Sequence, residues 1–152
     1  MLAPLIAAAL QAAAAPPPAD TDDKAVLATA QAFFDGFEKS DVAAMRATLL
    51  PNAQLMSLTS RPGGELVLRR FGFEETFGTK PPVGAKEWMW SPVIIRRGAL
   101  ATVSAPYELT VNGKTIHCGM DVFTLAKTDG AWKIASISWT AEPEACPELR
   151  KM

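Results

Sequence analysis

His117 and Asp121 are the side chains in this sequence best suited to chemistry, and they fall in one apolar run, KTIHCGMDVFTLA. His117 is the sole histidine of the chain, which excludes multi-histidine metal centres. No carboxylate cluster replaces them, so neither a metal nor another cofactor is expected. On an extended strand the two residues share a face but stand about 13 Å apart at the usual rise, too far to hydrogen-bond unless Gly119 bulges. Asp121 sits between Met120 and the apolar pair Val122 and Phe123. A carboxylate there must find a partner, and once partly desolvated it has the character of a general base, with His117 as acid or orienting group.

The elements that must position these residues lie in the last third of the chain. KEWMWSPVIIRRG, ALATVSAPYELTV, KTIHCGMDVFTLA and AWKIASISWT read as four successive strands, broken at Arg97-Gly98, Asn112-Gly113 and Asp129-Gly130. Such dipeptides tolerate positive φ and mark tight hairpins, so an antiparallel meander is expected. A two-residue turn at Asn112-Gly113 sets Leu109 against Ile116, Tyr107 against Cys118, Ala105 against Met120 and Val103 against Val122, an apolar face fit to be covered by a second copy of the chain. The other face sets Glu108 against His117, Ser104 against Asp121, Thr102 against Phe123 and Leu100 against Leu125. It grades from polar to apolar, the pattern of a pocket with a dry floor and a polar mouth. Glu108, Ser104 and Phe123 are therefore candidate ligand-binding residues. At the last hairpin, a two-residue turn adds Ser138, Ser136, Ile134 and Trp132 to this face, whereas a three-residue loop adds Lys133, Ala135, Ile137 and Trp139.

Upstream, Val26, Leu27, Ala30, Phe33, Phe34 and Phe37 recur at helical spacing between about Thr21 and Lys39, giving a stripe able to lie on a sheet. Ser40 or Asp41 caps a shorter helix carrying Val42, Met45 and Leu49, which Pro51 stops. Ala53 to Thr59 and Glu65 to Arg70 read as a hairpin across Pro62-Gly63-Gly64, and FGFEETF as one or two helical turns. Phe34 from the first helix and Trp90, which shares a strand side with Trp88, are the aromatic residues expected against a flat ligand. Arg69-Arg70 and Arg96-Arg97, at strand ends, point to solvent in this reading.

At 152 residues and 49% hydrophobic, the chain suits one domain with a real core. A net charge of −1 supplies no basic field, so neither nucleic acid nor an anionic membrane surface is an expected partner. The opening MLAPLIAAALQAAAA is uncharged and too short to span a bilayer, and Ala12-Ala13-Ala14 offers a cleavage site, as in a secretory signal peptide. No P-loop, dinucleotide fingerprint or Ser/Cys nucleophile motif is present. The two cysteines, Cys118 and Cys146, suit an exported protein with one disulfide; two unrelated thiols are the alternative.

Three stretches, AQAFFDGFEKSDVAAMRATLLPNAQLMSL, APYELTVNGKTIHCGMDVF and KTDGAWKIASISW, make residues 24–140 resemble the nuclear transport factor 2-like superfamily, which includes SnoaL-like cyclases and ketosteroid isomerase. The resemblance implies a cone-shaped α+β fold of the cystatin-like roll type, with a curved antiparallel sheet and helices packed on one face around a cavity. Chemistry follows less directly, because that fold hosts many reactions. The first helix has no tyrosine for an isomerase-type site, a dehydratase-type site needs a second histidine, and the Arg-x-Asp of epoxide hydrolases is missing. What remains is a cyclase-like role for Asp121. The expected organisation is a leader and Pro-rich linker over 1–19, the domain over 20–142 and a tail over 143–152. The expected function is an exported, periplasmic or secreted, homodimeric binder of a small apolar or aromatic molecule. An acid–base enzyme using Asp121 and His117 is the alternative, and a protein-interaction module a third.

Overall fold

A computed structural model of the protein describes residues 19–80 and 82–152. The leader expected over 1–19 therefore lies, but for Ala19, outside the described residues. Helix α1 (Ala19–Glu38) is followed by α2 (Val42–Thr48), strands β1 (Leu49–Ser60) and β2 (Leu66–Gly72), and a π-helical turn (Glu74–Gly78). Then come β3 (Ala85–Met89), β4 (Val93–Arg97), β5 (Leu100–Val111), β6 (Lys114–Thr128), β7 (Ala131–Ala141) and the short helix α3 (Cys146–Leu149). The seven strands form one curved, unclosed sheet in the order β2-β1-β7-β6-β5-β3, with β4 also on β5. The mixed α+β cone expected from the resemblance is what the chain forms.

The apolar stripe of α1 is what holds the helix on the sheet. Val26, Ala30, Phe33, Phe34 and Phe37 are buried, and α1 packs across β3, β5 and β7. Edge-to-face rings link the layers, with Phe34 5.4 Å from Phe123 and Phe37 5.7 Å from Phe77. The first turn of α1 is held by charge: Asp22 accepts from Lys127 Nζ at 2.7 Å and from Trp132 Nε1 at 3.3 Å, and Asp23 accepts from Arg96 Nε at 2.7 Å. Arg96 is thus turned inward, contrary to the solvent-facing expectation, with 17% of its side chain exposed. Asp41 caps α2 by accepting from the Ala44 amide at 2.9 Å. The helix ends at Thr48 and not at Pro51, which lies inside β1 beside Asn52 at φ 60°.

Several sequence expectations need correction. The sheet is not wholly antiparallel, since β1 runs parallel to β7. KEWMWSPVIIRRG is two strands, broken at Ser91 (φ 46°) ahead of Pro92, and both halves pair with β5. At the first break Arg97 pairs with Leu100, so the turn residues are Gly98 and Ala99. The Asn112-Gly113 turn is a two-residue turn as read, and the Asp129-Gly130 turn takes the two-residue form of its two alternatives, with Asn112 and Gly113 at φ 50° and 77° and Asp129 and Gly130 at 51° and 79°, the doubly positive geometry of tight hairpins. The registers nevertheless slip past both of these turns. Val111 pairs with Lys114 and Thr110 with Thr115, but Leu109 pairs with His117, leaving Ile116 as an extra residue. On β7, Leu125 pairs with Ile134 and Thr124 with Ser136, leaving Ala135 extra. Each bulge exchanges the two faces of its strand beyond it.

Candidate functional site

The bulge at Ile116 decides the site. It sets His117, Gly119, Asp121 and Phe123 beside Leu109, Tyr107, Ala105 and Val103 on the concave face. The second bulge adds Ile137 and Trp139 to them, as the three-residue-loop alternative had it, though by another route. Together with Phe33, Phe34 and Phe37 from α1 and Phe77 from the π-helical turn, these strands line a partly open cavity of about 270 Å³. Leu55, Phe71, Thr76 and Glu87 complete its wall. Most of that wall is aromatic or aliphatic, and its ionisable groups, Glu87, Tyr107, His117 and Asp121, gather on β3, β5 and β6.

Tyr107 Oη donates to the Thr140 carbonyl oxygen at 2.8 Å and lies 3.1 Å from His117 Nδ1. A phenol has one proton and a carbonyl can only accept, so His117 Nδ1–H must donate to Tyr107. Burial lowers the pKa of His117, which favours the neutral ring and leaves Nε2 as an acceptor. Gly119 makes this cluster sterically possible, because a Cβ there would strike the Thr140 carbonyl and come within 2.8 Å of the Tyr107 ring.

Asp121 is 1% exposed, and its Oδ2 has no hydrogen-bond partner. The group that interacts with Asp121 is Glu87, a residue absent from the sequence expectations, projecting from β3 in the row of Leu109. The two carboxyls share a hydrogen bond. Burial raises the Glu87 carboxyl to about 7, opposed by that bond. Asp121 is raised well above its ordinary range by burial and then by the Glu87 charge, so Asp121 keeps a proton and Glu87 accepts it. Glu87 retains some accessible surface because it lines the cavity, yet the crowding of protein around it makes burial the leading cause of its shift. In sequence, Glu87 shows only as an acid between Lys86 and Trp88 in a β-rich run, and its importance depends on a contact across β5.

The other expected site residues are dispersed. Phe34 lines the cavity, and Phe123 is buried against it in the adjoining core. Ser104 pairs with Val122 on the convex face, not with Asp121. Glu108 pairs with Cys118, not with His117, and is held there by Arg150 at 2.9 Å and Thr115 at 2.6 Å. The Arg150 bond keeps its carboxyl below the usual range. Trp90 donates to the Leu149 carbonyl at 3.2 Å and packs on the Cys118–Cys146 disulfide, away from the cavity. The pairing of Cys118 with Cys146 expected from the sequence is present. The continuous apolar face expected for Val103, Ala105, Tyr107, Met120 and Val122 does not form: the first three are buried and concave, and Val122 is on the outside. Among the described residues there is no cluster of three or more possible metal ligands, and no helix long and apolar enough to cross a membrane.

A curved sheet closed by helices over an internal cavity defines the nuclear transport factor 2-like class of folds. Solved structures bear this out. The chain superposes with a TM-score of 0.62 on an NTF2-like protein of unknown function from Shewanella baltica, at 19% identity over 85% of this chain and 100% of that one. For an NTF2-like superfamily protein from Salmonella enterica the TM-score is 0.64, at 17% identity over 82% and 94% of the two chains. A protein of unknown function with a cystatin-like fold from Nostoc punctiforme gives 0.65, at 16% identity over 82% and 93%. Within this class the chain belongs to the family described as "Putative lumazine-binding", which it matches over residues 21–140. No curated protein matches it in sequence.

Proposed function

We propose that the protein binds a small, flat, largely apolar molecule in the cavity between the sheet and α1. The observation that carries this reading is the cavity itself. A wall of Phe33, Phe34, Phe37, Phe71, Phe77 and Trp139 meets a few convergent polar groups, the composition of small-molecule sites. Its volume of about 270 Å³ lies just under the ~300–1,000 Å³ of drug-sized pockets and suits one or two fused rings. The family description points to lumazine, a fused two-ring heterocycle, as a first ligand to try. Native mass spectrometry of protein purified from its own source tests the reading for a retained ligand. Titration with lumazine and with other bicyclic aromatics tests it directly. Thr76→Trp, which sends an indole into the cavity from the π-helical turn, abolishes binding if the ligand sits there, and unaltered binding in that variant moves the ligand elsewhere.

The proposal includes export. The disulfide suits an oxidising compartment and the opening residues suit a signal peptide, so the mature protein is periplasmic or secreted in this reading. The mass of the purified mature chain checks it. A homodimer remains part of the proposal on different residues from those first expected. Val93, Ser104 and Val122 form one row of the convex face, and Val93 and Ile95 are 60% and 71% exposed. A second copy is the occupant that row suits, and a monomeric mass by light scattering at micromolar concentration rejects it.

A second reading, acid–base catalysis, is favoured by one observation: a buried carboxyl pair with raised pKa values beside a neutral imidazole. In this reading Glu87, near neutrality, is the stronger candidate base, and Asp121 holds a proton to donate.

A further inference from the structure

We infer that the cavity selects ligands carrying an N–H-rich, protonatable group, such as an amino-substituted nitrogen heteroaromatic, and rejects ligands carrying an acid. The inference rests on the reading of the cavity as a ligand site and names the chemistry that site recognises. Three observations carry it. First, Asp121 Oδ2 is an acceptor buried on the cavity wall with no partner in the protein, and such an atom is costly unless something supplies a donor. Second, Glu87 brings a second carboxyl to the same place, and no lysine or arginine is among the residues lining the cavity, so the wall offers a carboxyl pair holding one proton and, at His117, a neutral acceptor, with no cation. Third, the remaining polar groups of the wall are neutral: the Tyr107 hydroxyl, whose proton is committed to Thr140, the Thr76 hydroxyl and the Trp139 indole.

The ligand class follows from this inventory. Two carboxyls with one unclaimed oxygen match a planar fork of two N–H donors, as a protonated ring nitrogen and its neighbouring amino group present. Such a cation takes the place of the proton that Asp121 and Glu87 now share and satisfies Asp121 Oδ2. The aromatic rings contributed by α1 and the π-helical turn cover the faces of the heterocycle and add attraction between ring and cation. A carboxylate ligand meets like charge in a desolvated site with no cation to offset it.

Three bicyclic probes of nearly equal size test the inference by calorimetry or equilibrium dialysis at pH 7: 2-aminoquinoline, naphthalene and 2-naphthoate. The expected result is that 2-aminoquinoline binds ~10- to 100-fold tighter than naphthalene, as for a desolvated charge-assisted hydrogen bond, and that 2-naphthoate binds weakest. Glu87→Gln and Asp121→Asn, which conserve shape, each reduce the 2-aminoquinoline preference, read as the ratio of its affinity to that of naphthalene in the same variant. Equal affinity for the three wild-type probes overturns the inference but leaves a shape-selective cavity intact. Tightest binding of 2-naphthoate overturns the inference too. Binding of none of them overturns both the inference and the cavity as a site for bicyclic ligands. The wild-type comparison stands even if a variant fails to fold.

Discussion

Tyr107 Oη lies 2.8 Å from the Thr140 carbonyl and 3.1 Å from His117 Nδ1, so one hydroxyl fixes which nitrogen of the only histidine carries the proton. Nitrogen-15 NMR of the imidazole is expected to show the Nδ1–H tautomer at neutral pH. Tyr107→Phe removes both partners at once, and an amide carbonyl and a ring N–H left unpaired cost ~1–3 kcal/mol each. The variant should lose the single tautomer and unfold at lower denaturant; an unchanged nitrogen spectrum would mean that Tyr107 does not hold the ring.

Stability should fall as pH rises from about 5 to about 7.5. Glu87 is raised from 4.5 to about 7, chiefly by burial, so the folded state holds a proton that the unfolded state has released in this range. The contribution is complete below the unfolded value and is lost as pH passes the folded one. Chemical denaturation across this window should show a loss of roughly 1–3 kcal/mol, flattened in Glu87→Gln. His117 acts in the opposite sense, since its lowered pKa costs stability as pH falls through its unfolded value of 6.5. Asp121, raised by burial and by the Glu87 charge, adds in the same direction as Glu87, so the comparison with the variant reports the carboxyl pair free of the His117 background. Asp22, Glu74 and Glu108 are all lowered, first by hydrogen bonds to Lys127, Arg46 and Arg150 respectively, and their contributions disappear only in acid, below the ordinary carboxylate range. A pH profile identical in wild type and Glu87→Gln would show that Glu87 is not the titrating group.

Gly119→Ala should be among the most damaging single-methyl changes in the chain. The added carbon meets a backbone carbonyl and the side of a buried ring, neither of which is a flexible end that can swing away. A loss of about 2 kcal/mol or more is expected, with the Tyr107–His117 contact broken. Near-wild-type unfolding together with an intact Nδ1–H signal would contradict this packing.

The Cys118–Cys146 disulfide ties residues 28 apart and holds α3 against β6, where Trp90 and Leu149 complete a small satellite core. Restricting a loop of that length is worth about 3.5 kcal/mol in the chain-entropy account. Reduction, or replacement of both cysteines by alanine, should lower the denaturant midpoint accordingly and expose Trp90 to quenchers. Glu108 and Arg150 pin the same tail, so Arg150→Ala should loosen it further once the disulfide is gone. Equal midpoints for oxidised and reduced protein would place the stability of the domain elsewhere.

The sequence by itself determined the elements and the kind of fold. The Phe33, Phe34 and Phe37 spacing declared a covering helix, Asp41 a cap, and Asn112-Gly113 and Asp129-Gly130 two tight turns, because these are local preferences of backbone and periodicity. The pairing of Cys118 with Cys146 and the cavity-facing places of Phe34, His117 and Asp121 were also legible. The partners of these residues were not. With a side-chain period of two, one extra residue exchanges a strand's faces, and nothing local in Ile116 or Ala135 announces a bulge. Those two insertions moved Glu108 and Ser104 to the convex face and brought Tyr107, Ile137 and Trp139 in. Glu87 is the clearest case. It stands on a strand two places from β6 in the sheet, and only the curvature of the whole sheet, imposed by the helices and bulges together, brings its carboxyl to Asp121.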